Sequence, residues 1–336
     1  IFTRARPGAT MTSSTPISRA KASAEKKRAD SSGVYIKGGC GTGTKKVFIG
    51  VSACPVHTYF PFGRENFAMD LLVVAAFAVV VLGEILVPLG LGYWLIRRFG
   101  ASWRIFLLGA AGFVAVQLLH TPLVLLTQGP LVLWLQETVG SHAAVIAVLA
   151  VYLGLLAGIF EEVGRYLLYR YWFPRKGYAL SREHGFLFGA GWGGVESIIV
   201  ALLVFSSMVS YIVLSALPPE LAGIPDDPAA LAQVEALLAL SPLDILPGLF
   251  ERLMTIALHI AWSVLVLAAA VARRHVLLVA AILWHAAVDA AVVYVGHMTG
   301  VLAAEAVLAL FAVPAFVYLH REWRRLGSGA TFTFPR

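Results

Sequence analysis

The sequence is poor in charged residues and in cysteine. Only 13% of its 336 residues are Asp, Glu, Lys or Arg, whereas a soluble domain carries about 25%. The two cysteines, Cys40 and Cys54, are too few for a disulfide framework or a cysteine zinc cluster. An ordinary soluble domain and a cysteine-stapled fold are therefore excluded. The mean hydropathy of +0.80 instead indicates a protein with several membrane-spanning helices.

Long apolar runs are missing from residues 1–68. This stretch is rich in Lys, Arg, Ser, Thr and Gly, a composition that does not support a packed core. Met69 lies directly before the first apolar run, so we expect the native protein to begin there and 1–68 to be upstream sequence. A genuine disordered basic tail is the alternative. We predict one membrane domain over 69–327, followed by a short tail, 328–336.

Seven apolar runs are long enough to cross a bilayer, which takes about 20 residues. They predict an all-α transmembrane bundle with spans at residues 70–96, 104–127, 143–172, 184–215, 248–272, 276–296 and 300–319. The segment between the fourth and fifth spans is acidic and broken by prolines. We predict one short helix in it, at 228–240.

Basic residues occur in every second loop. They follow the first, third, fifth and seventh spans, as Arg97, Arg98, Arg104, Arg170, Arg175, Lys176, Arg182, Arg273, Arg274, Arg321, Arg324 and Arg325. The positive-inside rule then predicts an outside N-terminus and a cytoplasmic C-terminus. Basic loops of this kind, rather than nucleic-acid binding, are the ordinary source of positive charge in a membrane protein. The expected partner is membrane lipid, with no nucleic acid.

The third span contains three adjacent ionisable residues, Glu161, Glu162 and Arg165. Such residues cost a few kcal/mol each inside a bilayer, so they are rare and usually functional. Glu161 and Arg165 are four residues apart and share a helix face. Glu162 points about 100° away. We therefore expect that the two acids do not serve one partner through the same geometry.

Other spans bring polar residues to a similar depth. Glu196, His259 and His285 each lie roughly 15–18 Å from a span end, near the middle of the membrane. Asp289 follows His285 by one turn and shares its face. This pattern predicts an intramembrane site for a metal, for acid–base chemistry or for a proton path. Glu84, midway along the first span, is either a structural partner of Arg165 or a catalytic residue.

The ordered motifs resemble the YhfC-type intramembrane peptidases. That family looks like a bacterial branch of the glutamate-type membrane proteases, which include the CAAX prenyl proteases. The resemblance covers about residues 70–325 and rests on Glu161-Glu162-x-x-Arg165, Gly191-Trp192-Gly193-Gly194-Val195-Glu196, Glu251-Arg252 followed by His259 and Ser263, and His285-x-x-x-Asp289. It implies an enzyme of the bacterial cytoplasmic membrane that cleaves a peptide or membrane-protein substrate.

The resemblance also implies roles for residues of the third span. Glu161 or Glu162 would polarise the attacking water, and Arg165 would anchor that pair electrostatically. Both acids are therefore candidate catalytic residues.

Further roles are implied for the later spans. His259 and His285 would hold the water, a metal or the tetrahedral oxyanion, and Asp289 would orient or stabilise them. Zinc bound by Glu196, His259 and His285 is one expectation, and a metal-free glutamate–histidine mechanism is the other.

One position departs from the family pattern. Where family members usually read Gly-His-Gly-Gly-x-Glu, this chain has Trp192 in place of the histidine and keeps Glu196. Tryptophan donates one hydrogen bond but cannot ligate zinc or carry a proton. We predict an intramembrane peptidase of the glutamate or metal type. The alternatives are an inactive membrane binding or immunity protein of the same fold and, third, a proton-coupled transporter.

Overall fold

A computed structural model of the protein describes residues 69–217, 221–225 and 227–326. The expectations for 1–68 and 328–336 lie outside the described residues. The predicted fold class is confirmed, because the described chain is helical and has seven helices long and apolar enough to cross a membrane. The orientation predicted from the basic loops stays a prediction.

The helices occur at nearly the predicted places. They are α1 (Leu71–Phe99), α2 (Trp103–Thr138), α3 (His142–Leu167), α4 (Phe173–Arg175), α5 (Arg182–Ala216), α6 (Pro228–Leu238), α7 (Pro242–Ile245), α8 (Pro247–Ala272), α9 (His275–Thr299) and α10 (Val301–Arg324). A π-helical turn, Leu168–Trp172, joins α3 to α4. The predicted short helix is α6.

Helix α2 is longer than predicted. The sequence from Thr127 to Pro130 contains glycine and proline, which end many helices, so the predicted span stops there. In the structure α2 continues to Thr138 with both Pro122 and Pro130 inside it. Proline is tolerated inside membrane helices because neighbouring groups satisfy the backbone that it frees.

Helix α8 is the central helix of the bundle. From Ile256 to Ala270 nearly every residue is buried, and α8 packs against α1, α3, α5, α9 and α10. Its polar residues Arg252, His259 and Ser263 are therefore enclosed by protein. The large apolar side chains exposed on α2, such as Leu125 and Leu126, face outward as a lipid-contacting surface requires.

Two glycines bring α3 close to α9. A Cβ atom on Gly154 would lie 2.5 Å from the carbonyl oxygen of Ala286, and one on Gly158 would lie 2.7 Å from that of Ile282. Small residues four apart let membrane helices approach until their backbones touch. This approach carries His285 of α9 to the carboxylates near the end of α3.

Two glycines of α5 likewise bring that helix close to α8. A Cβ on Gly189 would lie 2.6 Å from Cα of Ile260, and one on Gly193 would lie 3.0 Å from Cβ of His259. Glycines at these positions therefore set the distance between Glu196 and His259.

Candidate active site

Arg165 is the centre of the polar network. Its side chain is fully buried and binds both acids of α3. Nη2 lies 3.0 Å from Oε2 of Glu161, and Nη1 contacts Oε1 of Glu162. The planar guanidinium uses a different nitrogen for each carboxylate. The two acids therefore share one partner, through two different geometries.

Arg165 also sets the tautomer of His259. Its Nη2 lies 2.6 Å from Nδ1 of that ring. Because a guanidinium can only donate hydrogen bonds, Nδ1 must accept and the ring hydrogen must be on Nε2. Nε2 contacts Oε2 of Glu196, whose Oε1 accepts a hydrogen bond of 3.1 Å from Nη1 of Arg252. Helices α3, α5 and α8 are thus joined by one chain of polar contacts.

His285 joins α9 to the same network. Its Nδ1 lies 2.7 Å from Oε1 of Glu162, and its Nε2 lies 3.4 Å from Oδ2 of Asp289. The ring stacks on Trp262, with centroids 4.0 Å apart and planes within 8°. The centroids of the His259 and His285 rings are 5.8 Å apart. All the residues that the sequence singles out as a site come together, namely Glu161, Glu162, Arg165, Glu196, His259, His285 and Asp289.

Trp192 is part of this network too. Its fully buried indole donates a hydrogen bond of 2.8 Å from Nε1 to Oε2 of Glu161. The Arg165 guanidinium lies over the ring, 4.4 Å from its centroid, at cation–π distance. The residue that departs from the family pattern is therefore bonded directly to a candidate catalytic carboxylate.

Two members of the site, Gln117 and Trp262, were not predicted, and a third, Arg252, belongs to a quoted motif but was given no role. Gln117 of α2 donates a hydrogen bond of 3.2 Å from Nε2 to Oε1 of Glu161, and its Oε1 lies 3.1 Å from Nδ1 of His120. Trp262 supports His285, and Arg252 binds Glu196. A polar amide inside an apolar span was a usable signal for Gln117. No signal in the sequence indicates that Trp262 contacts His285, because tryptophan is common in apolar spans.

The two carboxylates of α3 differ in how many of their oxygens already have a hydrogen-bond partner. Both oxygens of Glu161 have partners among the described residues. Glu162 uses Oε1 for Arg165 and His285, while its buried Oε2 has no hydrogen-bond partner in the described part of the chain. Since buried polar atoms are nearly always paired, Oε2 is the one carboxylate oxygen of the two acids that is left to accept a hydrogen bond.

The arrangement does not fit a bound metal ion. A zinc site needs three or four converging ligands at about 2.0–2.3 Å from the ion. Within the described residues no group of three His, Cys, Asp or Glu side chains is placed to hold one. The Arg165 cation lies between Glu161, Glu162 and Nδ1 of His259, and Nε2 of His259 directly contacts Glu196. We therefore assign no reaction step to a metal.

Glu84 is not the partner of Arg165. Its carboxylate interacts electrostatically with Arg252 and Glu251 of α8. Both of its oxygens are buried without a hydrogen-bond partner in the described chain. The structural partnership considered from the sequence is thus wrong, because α1 packs against α5 and α8 at this level rather than against the end of α3.

Fold and site together define a polytopic membrane protein with a buried glutamate–arginine–histidine centre. The profile of the YhfC intramembrane metalloprotease family matches residues 83–312. The chain is also 34% identical over 251 residues to the uncharacterized membrane protein YhfC of Bacillus subtilis strain 168, covering 71% of this chain and 92% of that protein. The chain belongs to the YhfC intramembrane metalloprotease family. The seven apolar helices among the described residues and this bacterial relative are consistent with the bacterial cytoplasmic membrane.

Proposed function

We propose that this protein is an intramembrane peptidase that hydrolyses a peptide bond by a carboxylate–histidine mechanism. The observation that carries the proposal is the state of Glu162. One of its oxygens is held by Arg165 and His285, and the other is buried and free to accept a proton. The description of the family as intramembrane metalloproteases supports peptide-bond hydrolysis in the membrane, although it names a metal that the residues described above do not fit.

The proposed reaction uses Glu162 as general base. Its Oε2 takes a proton from a water molecule as the water oxygen bonds to the carbonyl carbon of the substrate. His285, hydrogen-bonded to the same carboxylate, passes a proton to the leaving amine as the carbon–nitrogen bond breaks. Glu162 then gives the proton that it took from water to His285, so both side chains return to their starting protonation states. The Nε2 hydrogen of His259 turns from Glu196 to the oxyanion and stabilises it. One water is consumed, and its two hydrogens end on the new amine and the new carboxyl group.

Two acids at the margin of the site mark the side from which a substrate would enter. The side chains of Glu196 and Asp289 are 25% and 35% exposed. Glu162 and Arg165 are fully buried. Charged groups exposed at membrane depth face a water-filled cavity or a partner rather than lipid. A peptide would therefore reach the histidines past Glu196 and Asp289.

A cleavage assay in liposomes tests this function. The full chain is incubated with a pool of synthetic single-span peptides, and fragments are identified by mass spectrometry. We expect new fragments with the wild-type protein and none with Glu162→Gln. Glu137→Gln, which changes an exposed acid at the end of α2, is the matched control and should cleave like wild type. Fragments that appear equally with Glu162→Gln would overturn the proposal.

A second candidate is a non-catalytic membrane protein that binds a peptide. Trp192 favours it, because its buried indole occupies one oxygen of Glu161 and cannot take part in proton transfer. Binding of the peptide pool without fragments from wild-type protein would support this candidate.

A further inference from the structure

A second polar cluster lies next to the candidate active site. Arg252 precedes His259 by seven residues on α8, about 10 Å along the helix. Its Nη1 donates to Oε1 of Glu196, and its Nη2 contacts Oε1 of Glu251. Since Glu196 also contacts His259, one side chain connects this cluster to the site.

A buried acid from α1 points into this cluster. Glu84 is only 1% exposed, yet Oε1 and Oε2 have no hydrogen-bond partner among the residues described. A Cβ atom on Gly248 would lie 4.0 Å from its Oε1. Gly248 and Arg252 are four residues apart and share a face of α8. The carboxylate therefore lies beside the face that carries Arg252, with which it interacts electrostatically.

A further acid comes from α10. Glu305 is 9% exposed, its Oε2 lacks a hydrogen-bond partner in the described chain, and it interacts electrostatically with Glu251 and Arg252. The second carboxylate cluster thus contains one guanidinium and four carboxyl groups, those of Glu84, Glu196, Glu251 and Glu305. Arg252 does not saturate it, because its buried Nε is itself without a partner among these residues.

The atoms of this cluster that lack a hydrogen-bond partner indicate what kind of ligand would bind there. The unpaired carboxylate oxygens accept hydrogen bonds, and four carboxyl groups beside one guanidinium favour a donor that is also a cation. The Nε–H of Arg252 calls for an acceptor. No group of three acidic or histidine side chains in the described chain is placed for a metal ion. A Lys or Arg residue of a peptide offers both features, a cationic side chain and a backbone carbonyl. The side chains of Glu196 and Glu251 are 25% and 29% exposed, so the cluster can be reached.

We propose that the second carboxylate cluster binds a Lys or Arg side chain of the peptide that the active site cleaves. This inference rests on the proposed function. The separation of about 10 Å along α8 corresponds to about three residues of extended peptide. A basic residue about three positions from the cleaved bond would therefore set which bond reaches Glu162.

Binding can be measured apart from cleavage. The probes are two single-span leucine–alanine peptides that differ at one position, which is arginine in one and citrulline, its uncharged isostere, in the other. The full chain carrying Glu162→Gln is used, so that neither peptide is cut. We expect arginine to bind about tenfold or more tightly than citrulline, the size of a lost charge-assisted hydrogen bond.

The preference should depend on the cluster. Adding Glu84→Gln or Glu305→Gln should remove the difference between the two peptides and leave citrulline binding unchanged. Adding Glu137→Gln, an exposed acid of α2, should leave the difference intact. If Glu84→Gln does not fold, Glu305→Gln decides alone.

Equal affinity for the two peptides, or a preference that survives both changes, would overturn the inference. Because the protein used cannot cleave, this result is independent of the cleavage assay. A preference for arginine without any peptidase activity in the wild type would refute the proposed function and leave the binding site standing.

Discussion

The indole N–H of Trp192 donates a hydrogen bond of 2.8 Å to Oε2 of Glu161, and the guanidinium of Arg165 lies over the same ring. A tryptophan thus occupies the position at which the resemblance led us to expect histidine. Rather than offering a metal ligand or a proton carrier, it fixes a carboxylate and covers a buried cation. Its role here is positioning.

Replacing Trp192 with phenylalanine separates the hydrogen bond to Glu161 from the ring contact with Arg165. Phenylalanine keeps a ring under Arg165 but removes the donor, so Oε2 of Glu161 loses a buried hydrogen bond. We expect the free energy of unfolding to fall by about 1–3 kcal/mol. Thermal unfolding in detergent measures it, with Trp134→Phe, at an exposed position, as control. An unchanged midpoint for Trp192→Phe would show that the hydrogen bond contributes nothing.

The two acids of α3 should differ when each is changed to glutamine. Glu162→Gln removes the proposed base and should lower the cleavage rate by about 10²–10⁴-fold. Glu161→Gln weakens the hold on Arg165 and Trp192, so it should lower the unfolding midpoint yet leave measurable cleavage. Rates from the liposome assay and midpoints from thermal unfolding give the comparison. The reverse order of rates would make Glu161 the base.

The contact of α3 with α9 should tolerate no side chain at Gly158. A Cβ there would lie 2.7 Å from the carbonyl oxygen of Ile282, so Gly158→Ala should push the helices apart and separate Glu162 from His285. We expect a loss of about 1–3 kcal/mol in stability, together with reduced cleavage. Gly129→Ala is the control, because the space beside Gly129 is open. It should be neutral or slightly stabilising. Equal effects of the two changes would contradict the close packing.

Chelation should leave cleavage unchanged if Glu162 and the histidines work as proposed. The purified chain is assayed with and without a zinc chelator, and its metal content is measured by elemental analysis. Because the Arg165 cation already lies among the carboxylates, we expect less than one zinc per chain. One zinc per chain that is lost in both His259→Ala and His285→Ala would establish a metal site instead.

The spans and the depth of the site residues could be predicted from local patterns in the sequence. Apolar runs of about 20 residues can only be satisfied inside a bilayer as helices, so seven spans were readable from composition alone. Depth could be read for Glu161, Glu196, His259 and His285, since each residue adds a known rise along its helix. Their convergence was also predicted, because buried charged groups at the same depth stabilise one another.

Only the tertiary structure decided which groups are paired. Whether Arg165 binds one acid or two depends on the side-chain torsions of three neighbours, which helical spacing does not determine. The surroundings of Glu84 depend on which helices pack against α1. The sequence left it as either a partner of Arg165 or a catalytic residue, whereas the packing of α1 against α5 and α8 places it beside Arg252. The support of His285 by Trp262 depends on the close approach of α8 and α9. Spacing along a helix determines depth and face, whereas contact between helices depends on how all seven pack together.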